Sequence, residues 1–278
     1  MRRVGLTATG AALLALAAIA LGTPGAFGAY TAAIRNGTND AGTATSFRCS
    51  AELAVDSSSA LLQWPLTDPS GSTTAADISG KNRPGTYSGT MTASAPSPIA
   101  CPRDAGTAWS LDGSAQTAMY PTQQTGPNTF SIEIWFRTTV AGGKLIGFGT
   151  TTGVSGQYDR HLYLDKNGAV VFGVYANAIK TVQTPGTTSY ADGRWHSAVG
   201  TLSSAGMALY VDGALIASDP SVTTGESDSG YWKVGYDTLG GSWPNVATPY
   251  FTGNLRFAAV YTTALTASQV RAHDTVGR

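Results

Sequence analysis

Three histidines are the residues of this sequence best suited to acid–base or metal chemistry near neutral pH. His161 opens a predicted strand, and His273 lies at the end of a predicted helix. His196 follows Trp195 in the stretch "ADGRWHSAVGTL". Because the histidines are far apart in the chain, a shared metal site would require chance convergence. Each is interpreted as structural, with Trp195 as a core anchor and His196 hydrogen-bonded to a neighbouring strand or loop backbone.

Carboxylates are the other candidates for catalysis, since glycoside hydrolysis uses two acids about 5–9 Å apart. Acids at i and i+2 or i+4 on one strand face would provide them, and no predicted strand carries such a pair. Glu133 is the one acid of its strand and is interpreted as a polar outer-face residue. Glu226 and Asp228 lie in the loop "TTGESDSG" and are expected to be solvated. No nucleophile elbow surrounds Ser155, so we predict that the protein is not an enzyme.

Composition argues against nucleic acid as a partner. Of the 278 residues, 12% are charged, and 17 lysines and arginines balance 17 aspartates and glutamates. Without a basic excess, the chain has little with which to neutralise phosphates. The 34 glycines suit many short strands joined by tight turns, with a neutral polar surface of the kind found outside cells.

The N-terminus predicts export. A basic start, "MRR", precedes the apolar run Ala11–Leu21, and Ala26 and Gly28 are small residues before a cut after Gly28. These features predict a signal peptide over residues 1–28 and a secreted or cell-envelope location. The alternative is an uncleaved membrane anchor, although the run is shorter than the ~20 residues of a spanning helix. Residues 29–59 are expected to form an exposed leader or weakly ordered strands, and residues 28–49 resemble the N-terminal region of secreted, cell-envelope actinobacterial proteins.

The two cysteines, Cys49 and Cys101, are expected to form a disulfide in an oxidising compartment. This cross-link would be worth roughly 4 kcal/mol in the chain-entropy description. Two free thiols are the alternative. The sequence has no Cys-x-x-Cys pair and no Cys/His cluster, so the cysteines predict no zinc site.

The pattern of the main domain predicts an all-β fold. In "FSIEIWFR" (residues 130–137) the residues alternate between two faces, which predicts a half-buried antiparallel strand. Asn167-Gly168 and Asp212-Gly213 are hairpin turns. Around ten such strands predict an antiparallel two-sheet β-sandwich or jelly roll. One short C-terminal helix is expected over Leu265–Asp274, with Thr266 as its N-cap.

Several motifs then occur in an order that resembles a known family. They are "FSIEIWFRT", "DGRWHSAVGTL", "MALYVDGALIAS" and "YFTGNLRFAAVYTTALTASQVRAH". Residues 60–278 resemble a laminin-G-like domain of the concanavalin A-like lectin/glucanase superfamily. The resemblance implies a jelly-roll β-sandwich with a concave face that can take ligands. Related glucanases carry an E-x-D-x-x-E type run, which this sequence lacks.

The resemblance also implies a structural calcium ion, which many relatives hold through carboxylates near the sandwich edge. This chain departs from the pattern, because Arg256 lies in the segment where relatives carry an acidic residue. Asp68 and Asp77 are the candidate ligands, and calcium takes about six to eight oxygens. Two interpretations stay open. Either Arg256 replaces the ion and pairs with Asp77 or Asp68, or these carboxylates and backbone carbonyls hold calcium.

Two loops provide candidate binding residues. Sugar recognition uses flat aromatic rings and short polar side chains, and loops on a rigid scaffold present them. The first loop covers residues 151–161, and the second, residues 235–251, is unusually long for a loop without function. The alternative is that the aromatic residues only pack the loop down. The candidate ligand-binding residues are Gln157, Tyr158, Asp159, Trp243, Asn245 and Tyr250.

These observations predict a non-catalytic binding module, secreted or held at the cell envelope, that recognises a polysaccharide or other glycan. The first alternative is a structural or adhesion protein that contacts other surface proteins without a sugar site. The second is a glycan-active hydrolase, which would need paired carboxylates in a cleft. No cofactor is expected beyond the open question of Ca²⁺.

Overall fold

The computed structural model describes residues 48–278, and no helix within them is long and apolar enough to cross a membrane. The predicted signal peptide and most of the predicted leader lie outside the described residues. In chain order the elements are α1 (Cys49–Val55), β1 (Ala60–Trp64), β2 (Thr74–Ala75), β3 (Gly85–Ser88), β4 (Thr92–Ser94), β5 (Ala108–Asp112), β6 (Thr117–Met119), β7 (Gln124–Thr125), β8 (Phe130–Arg137), β9 (Lys144–Gly149), β10 (Tyr158–Leu164), β11 (Val170–Tyr175), β12 (Ile179–Gln183), β13 (Trp195–Ser203), β14 (Gly206–Val211), β15 (Ala214–Asp219), β16 (Ser229–Val234), β17 (Thr252–Tyr261) and α2 (Ala267–Gly277).

The strands form two sheets that pack face to face. The first, called here the helix-side sheet, has the order β15-β14-β13-β8-β17-β5-β4, with β1 paired to β17. The second, the loop-side sheet, has the order β12-β11-β10-β9-β16-β6-β3-β2, with β7 paired to β16. The strand pairs are antiparallel. The predicted two-sheet β-sandwich with a short C-terminal helix is therefore confirmed.

The main core lies between the sheets, where alternate residues of each strand meet. Ile132 and Ile134 of β8 face this core, together with Leu162 and Phe172 of the loop-side sheet. The sheets approach so closely that a Cβ added to Gly200 on β13 would lie 2.4 Å from the Phe172 ring. Such close packing holds the strand ends, and the loops that leave them, in fixed positions.

A second core covers the outer face of the helix-side sheet. Trp135 and Trp195 pack there against Leu53 of α1 and Val270 of α2. Trp195 was expected to anchor the sandwich core; it is buried, but in this second core and not between the sheets. The prediction of a half-buried β8 is wrong. The two helices cover the face that was expected to be open, so Trp135 is buried. Glu133, expected to be a polar outer-face residue, is 2% exposed.

The region before β1 differs from the exposed leader predicted for residues 29–59, within the part that the structure describes. Cys49 and Cys101 form the predicted disulfide, with Cα atoms 5.7 Å apart. The Asp104 carboxylate accepts the Cys49 backbone N–H at 2.7 Å and holds the start of α1. This anchoring lets one short helix bury Cys49 and Leu53, which lie one turn apart on the same stripe.

Candidate functional site

The loop of residues 235–251 lies across the outer face of the loop-side sheet. The Tyr163 hydroxyl of β10 donates to the Pro244 carbonyl at 2.9 Å. At the far end of β10, the Lys166 N–H donates to the Asn245 carbonyl at 2.8 Å. These hydrogen bonds hold the loop along β10. The loop therefore occupies the outer face of the sheet, where the family resemblance implies an open face for ligands.

Aromatic packing gives the loop its shape. The Trp243 ring meets the His161 ring edge-on, with centroids 4.1 Å apart. A Cβ on Gly173 would lie 2.5 Å from the Trp243 ring, so the lack of a side chain at this position leaves room for the ring on the sheet. Tyr236 and Tyr250 stack with centroids 4.8 Å apart and planes 6° from parallel, which joins the two ends of the loop. The result is a compact loop of the Ω type.

A cavity of about 340 Å³ is formed where this loop meets the start of β10. Four aromatic side chains line it: Phe148, Tyr158, Tyr175 and Trp243. Tyr175 has 37% of its surface exposed, whereas Trp243 has only 7%. A volume in this range, with aromatic walls and a few polar groups, is typical of small-molecule sites. Gln157, Asp159, Glu226 and Asp228 provide polar groups at its walls.

The structure brings together four of the six predicted binding residues. Gln157, Tyr158, Asp159 and Trp243 line the cavity, while Asn245 and Tyr250 lie outside its lining. Asn245 is exposed near the β10–β11 turn, because the loop runs the whole length of β10 before it returns. Tyr250 is used in the stack at the base of the loop. Tyr175, Glu226 and Asp228 complete the cavity, and the sequence signal for Tyr175 was only its position at a strand end.

The Asp159 carboxylate is a buried structural anchor as well as part of the cavity wall. It forms an ion pair with Arg160 at 2.6 Å and accepts the Glu226 backbone N–H at 3.0 Å. Arg160 in turn donates to the Glu226 carbonyl at 2.6 Å. Burial raises the pKa of Asp159, although Arg160 lowers it. Burial and the charges of Asp228 and Asp159 also raise the pKa of Glu226.

A polar cluster is buried beneath the loop, on the same face of the sheet. Lys144, His161, Lys233 and Asp237 are each at most 2% exposed. The Lys233 ammonium lies 3.1 Å from one Asp237 carboxylate oxygen, and the Lys144 ammonium lies 4.0 Å from the other. Sequence reasoning missed both lysines. A usable signal was Gly147 and Gly149 on β9, which leave room for large polar side chains above this strand.

The other two histidines are structural, as predicted, but their partners differ from those expected. His196 bridges the carboxylates of Asp212 at 2.8 Å and Asp192 at 3.0 Å, so the predicted backbone partner is wrong. His273 bridges Glu133 at 2.9 Å and Asp56 at 3.1 Å. Burial disfavours the charge in both. The carboxylates nevertheless raise the pKa of His196 and raise that of His273 to about 9.

The candidate calcium ligands hold the backbone. Asp77 accepts hydrogen bonds from the backbone N–H groups of Gln63 at 3.0 Å and Arg83 at 2.8 Å. Asp68 accepts the Tyr87 hydroxyl at 2.8 Å. These oxygens serve local bonds and do not fit the ligand set of calcium, which takes about six to eight oxygens.

The predicted ion pair of Arg256 with Asp77 or Asp68 is wrong. Arg256 is fully buried and donates to backbone carbonyls beside the disulfide, among them those of Asp104 at 3.1 Å and Ala105 at 3.2 Å. The guanidinium therefore stabilises the turn that carries Cys101.

The two packed antiparallel sheets, each with a covered outer face, and the cavity at a strand end define a lectin-like β-sandwich. A laminin G family model, described as the concanavalin A-like lectin/glucanases superfamily, matches residues 112–271. This match covers more than half of the chain, so the protein belongs to this superfamily. The family resemblance inferred from the motifs is confirmed, whereas the actinobacterial-type N-terminus lies outside the described residues. A comparison with curated protein sequences finds no match.

Several solved structures share the fold at low sequence identity. Botulinum neurotoxin type C, which depends on interaction with two ganglioside molecules to enter cells, gives a TM-score of 0.55 at 15% identity over 81% of this chain and 53% of its own. The binding domain of botulinum neurotoxin DC in complex with rat synaptotagmin II gives 0.53 at 14% identity over 80% and 52%. Trypanosoma rangeli sialidase gives 0.51 at 14% over 78% and 32%. At such identities the likeness shows the fold alone.

Proposed function

We propose that this protein is a non-catalytic carbohydrate-binding module that acts outside the cytoplasm, and that the cavity beside Tyr158 and Tyr175 is its sugar site. The observation that carries the proposal is the cavity itself, about 340 Å³ with four aromatic side chains in its wall. Aromatic rings pack against the apolar face of a sugar, and the nearby amide and carboxylates can bond its hydroxyls. Tyr175 is the most accessible of these four rings, at 37% exposed.

The charge of the cavity narrows the class of sugar. Glu226 and Asp228 line it together with Asp159, whose charge is paired with Arg160, and no described residue of its lining is a lysine or arginine. Like charges brought together in an interface cost free energy, whereas opposite charges favour binding. The site therefore suits neutral sugars and sugars that carry an ammonium group, and it disfavours sugars with a carboxylate or sulfate.

The comparisons support this function and also one of its alternatives. Botulinum neurotoxin type C interacts with gangliosides, which is consistent with a sugar-binding role for the shared fold. The neurotoxin DC domain instead binds a protein, synaptotagmin II, and this favours the alternative of an adhesion or structural protein. The burial of Trp243 also favours that alternative, because this ring serves mainly to pack the loop.

A glycan-active hydrolase is the second alternative, and the three carboxylates in the cavity are the observation that favours it. A glycosidase needs one carboxyl group with a raised pKa and a second carboxylate free to act on the sugar or a water. Glu226 meets the first condition. Asp159 does not suit the second, since it is tied to Arg160 and to backbone N–H groups. Asp228 is the remaining candidate.

A glycan array tests the proposal when it includes Tyr175→Ala and the control Leu215→Ala. Both side chains are exposed, at 37% and 54%, but only Tyr175 lines the cavity, whereas Leu215 lies on β15 of the other sheet. We expect binding to neutral or amino-sugar glycans, weakened about tenfold or more by Tyr175→Ala and unchanged by Leu215→Ala. Tenfold corresponds to about 1.4 kcal/mol. No binding to any glycan would contradict the proposal and favour a protein partner, and release of reducing sugar ends would favour the hydrolase.

The extracytoplasmic location has its own test. The Cys49–Cys101 disulfide is consistent with an oxidising compartment. If residues 1–28 are a cleaved signal peptide, the exported protein begins at Ala29, which N-terminal sequencing would show. A mature protein that retains Met1 would support the membrane-anchor alternative.

A further inference from the structure

Two buried groups beneath the loop of residues 235–251 lack the partners that burial normally requires. The Lys144 ammonium of β9 and the Oδ2 atom of Asp237 have no hydrogen-bond partner among the described residues. Both side chains are 1% exposed, and the two atoms lie 4.0 Å apart. Buried polar groups are nearly always satisfied, so a pair that is not calls for a specific explanation. Neither residue belongs to the lining of the proposed sugar site.

The other oxygen of Asp237 is held by two donors. The Ser155 backbone N–H and the Lys233 ammonium each lie 3.1 Å from Asp237 Oδ1. Lys233 also donates to the Ser155 hydroxyl at 3.1 Å and to the Gly153 carbonyl, which fixes its position. A preorganised pair of donors on one oxygen stabilises negative charge that develops there when the carboxyl carbon is attacked.

Lys144 is the group placed to attack that carbon. Burial lowers the pKa of Lys144 to about 8, so a fraction of the amine is unprotonated at neutral pH. Its ammonium lies 4.8 Å from the centre of the Tyr158 ring, which covers it. The ammonium lies 4.0 Å from Asp237 Oδ2, and reacting atoms in near-attack geometry are about 3–3.5 Å apart, so the amine has to move closer to Cγ before it attacks.

His161 adds a neutral proton carrier beside the pair. Both of its ring nitrogens are buried without a partner among the described residues. Burial and the Lys144 charge lower the pKa of His161 well below its usual value. The side chains of His161 and Lys144 both lie over Gly147, at 2.6 Å and 3.6 Å from the position of an added Cβ.

We propose that Lys144 and Asp237 join in an intramolecular amide, a covalent link between β9 and the base of the loop. The Lys144 ammonium first gives a proton to the Asp237 carboxylate, which turns the ion pair into an amine and an acid. The amine nitrogen then attacks Cγ, and the carbonyl electron pair moves to Oδ1, where Ser155 N–H and Lys233 stabilise it.

The intermediate collapses without any other reactant. The electron pair returns from Oδ1, the Cγ–Oδ2 bond breaks, and one proton of the attacking nitrogen passes to Oδ2 through His161. Oδ2 leaves as water with two protons, and the Nζ–Cγ bond remains as an amide. One positive and one negative charge disappear together, so the net charge of the buried cluster is unchanged, while both unpartnered groups are removed.

Such a link would tie the loop to the sheet and hold Tyr158 and Trp243 in place. A cross-link adds stability mainly by restricting the unfolded chain. The wall of the cavity would then keep its shape under mechanical load or proteolysis, as suits a domain that works outside the cell.

Intact-mass spectrometry of the full chain, denatured and with its disulfide reduced, tests the amide directly after incubation near pH 8. We expect the wild-type mass to be lower than the sequence mass by one water molecule. Lys144→Arg should show the full sequence mass, because a guanidinium does not acylate. Lys166→Arg is the matched control, an exposed lysine in the β10–β11 turn, and should keep the loss.

Trypsin adds a second readout that does not depend on any variant. The amide predicts a linked peptide pair, residues 138–160 joined to residues 234–256, with no cleavage after Lys144. A wild-type chain of full mass, cleaved after Lys144, would overturn the proposal and leave a buried ion pair bridged by water. A loss of water that persists in Lys144→Arg would overturn the assignment to this lysine.

Discussion

The outer faces of the two sheets are covered in opposite ways. On the helix-side sheet, two helices cover a buried network in which His273 lies between Glu133 and Asp56 and each ring nitrogen has a carboxylate partner. On the loop-side sheet, a loop covers Lys144 and His161, whose polar nitrogens have no hydrogen-bond partner among the described residues. A satisfied buried network stabilises a fold, whereas unsatisfied groups lower stability unless they serve chemistry or a ligand. Gln63 Oε1 on the helix side also lacks a hydrogen-bond partner among the described residues, so the difference lies in the histidines, which are paired with carboxylates on the first face and unpaired on the second.

Apolar packing strengthens the contrast. The helix cover buries Leu53, Val270 and Val276 against a broad aromatic face. Of the described residues in the loop, Leu239 and Trp243 are buried in the apolar cluster that covers this sheet, whereas Phe251 at the end of the loop joins the main core. Regions with fewer buried apolar contacts open at lower free-energy cost. We therefore expect the loop to open before the helices do, unless the proposed amide holds it.

The largest effect is expected from breaking the network on the helix side. Glu133→Leu would leave the buried His273 charge with Asp56 alone. Removing one partner of a buried ion pair costs about 3–5 kcal/mol. Urea unfolding followed by circular dichroism should show this loss, while Lys180→Gln, at an exposed position of β12, should stay within about 0.5 kcal/mol. A cost below about 1 kcal/mol would mean that the network does not stabilise this face.

A pH series should separate the two faces next. The pKa of His273 is raised from 6.5 to about 9 in the folded protein. Its stabilisation is therefore complete below pH 6.5 and is lost as pH rises through about 9. At about 1.4 kcal/mol per pKa unit, the loss is of order 3 kcal/mol. Urea unfolding at pH 6 and pH 10 should show this difference for the wild type and a smaller one for His273→Gln.

His161 should respond in the opposite direction. Its pKa is lowered, so the folded state keeps it neutral while the unfolded chain binds a proton below about pH 6.5. Stability on the loop side therefore decreases as the solution becomes acidic. Equal free energies for the opening of the loop side at pH 5 and at pH 7 would contradict this assignment.

Gly173→Ala is expected to have a smaller effect, confined to the loop side. The new methyl group would lie 2.5 Å from the Trp243 ring and would push this side chain off the sheet. Overpacking of this kind costs about 1–3 kcal/mol. Gly186→Ala is the matched control, since an added Cβ there meets nothing within 4 Å. Unfolding free energies should show the difference, and tryptophan fluorescence should show whether Trp243 moves.

The fold was largely predictable because its signals are local. The alternation of residues 130–137 and the Asn167-Gly168 turn identify strands and hairpins without knowledge of the rest of the chain. The burial of Glu133 was not predictable in this way, since its partner His273 lies 140 positions further along the sequence. A distant helix that covers a strand leaves no sign in the alternation of that strand.

The site was predictable only where its residues carry a local signal. Loop composition indicated Tyr158 and Trp243, both of which line the cavity. Loop composition could not show that Asn245 lies outside the cavity, because the path of the loop depends on contacts such as the hydrogen bond from the Lys166 N–H to the Asn245 carbonyl. Lys144 was missed because a lysine at a strand end usually lies in solvent. Only its neighbours Gly147 and Gly149 hinted at a covered polar cluster.

The smallest effect on stability, and the most selective one on function, is expected from Glu226→Gln. Glu226 is partly exposed at the cavity wall, so the variant should unfold within about 0.5 kcal/mol of the wild type. Removal of this negative charge should weaken binding of amino sugars and leave binding of neutral sugars nearly unchanged. Titration calorimetry with matched amino and neutral oligosaccharides measures both. Equal losses for both sugars would mean that Glu226 acts through its hydrogen bonds, and the proposed selection by charge would then be wrong.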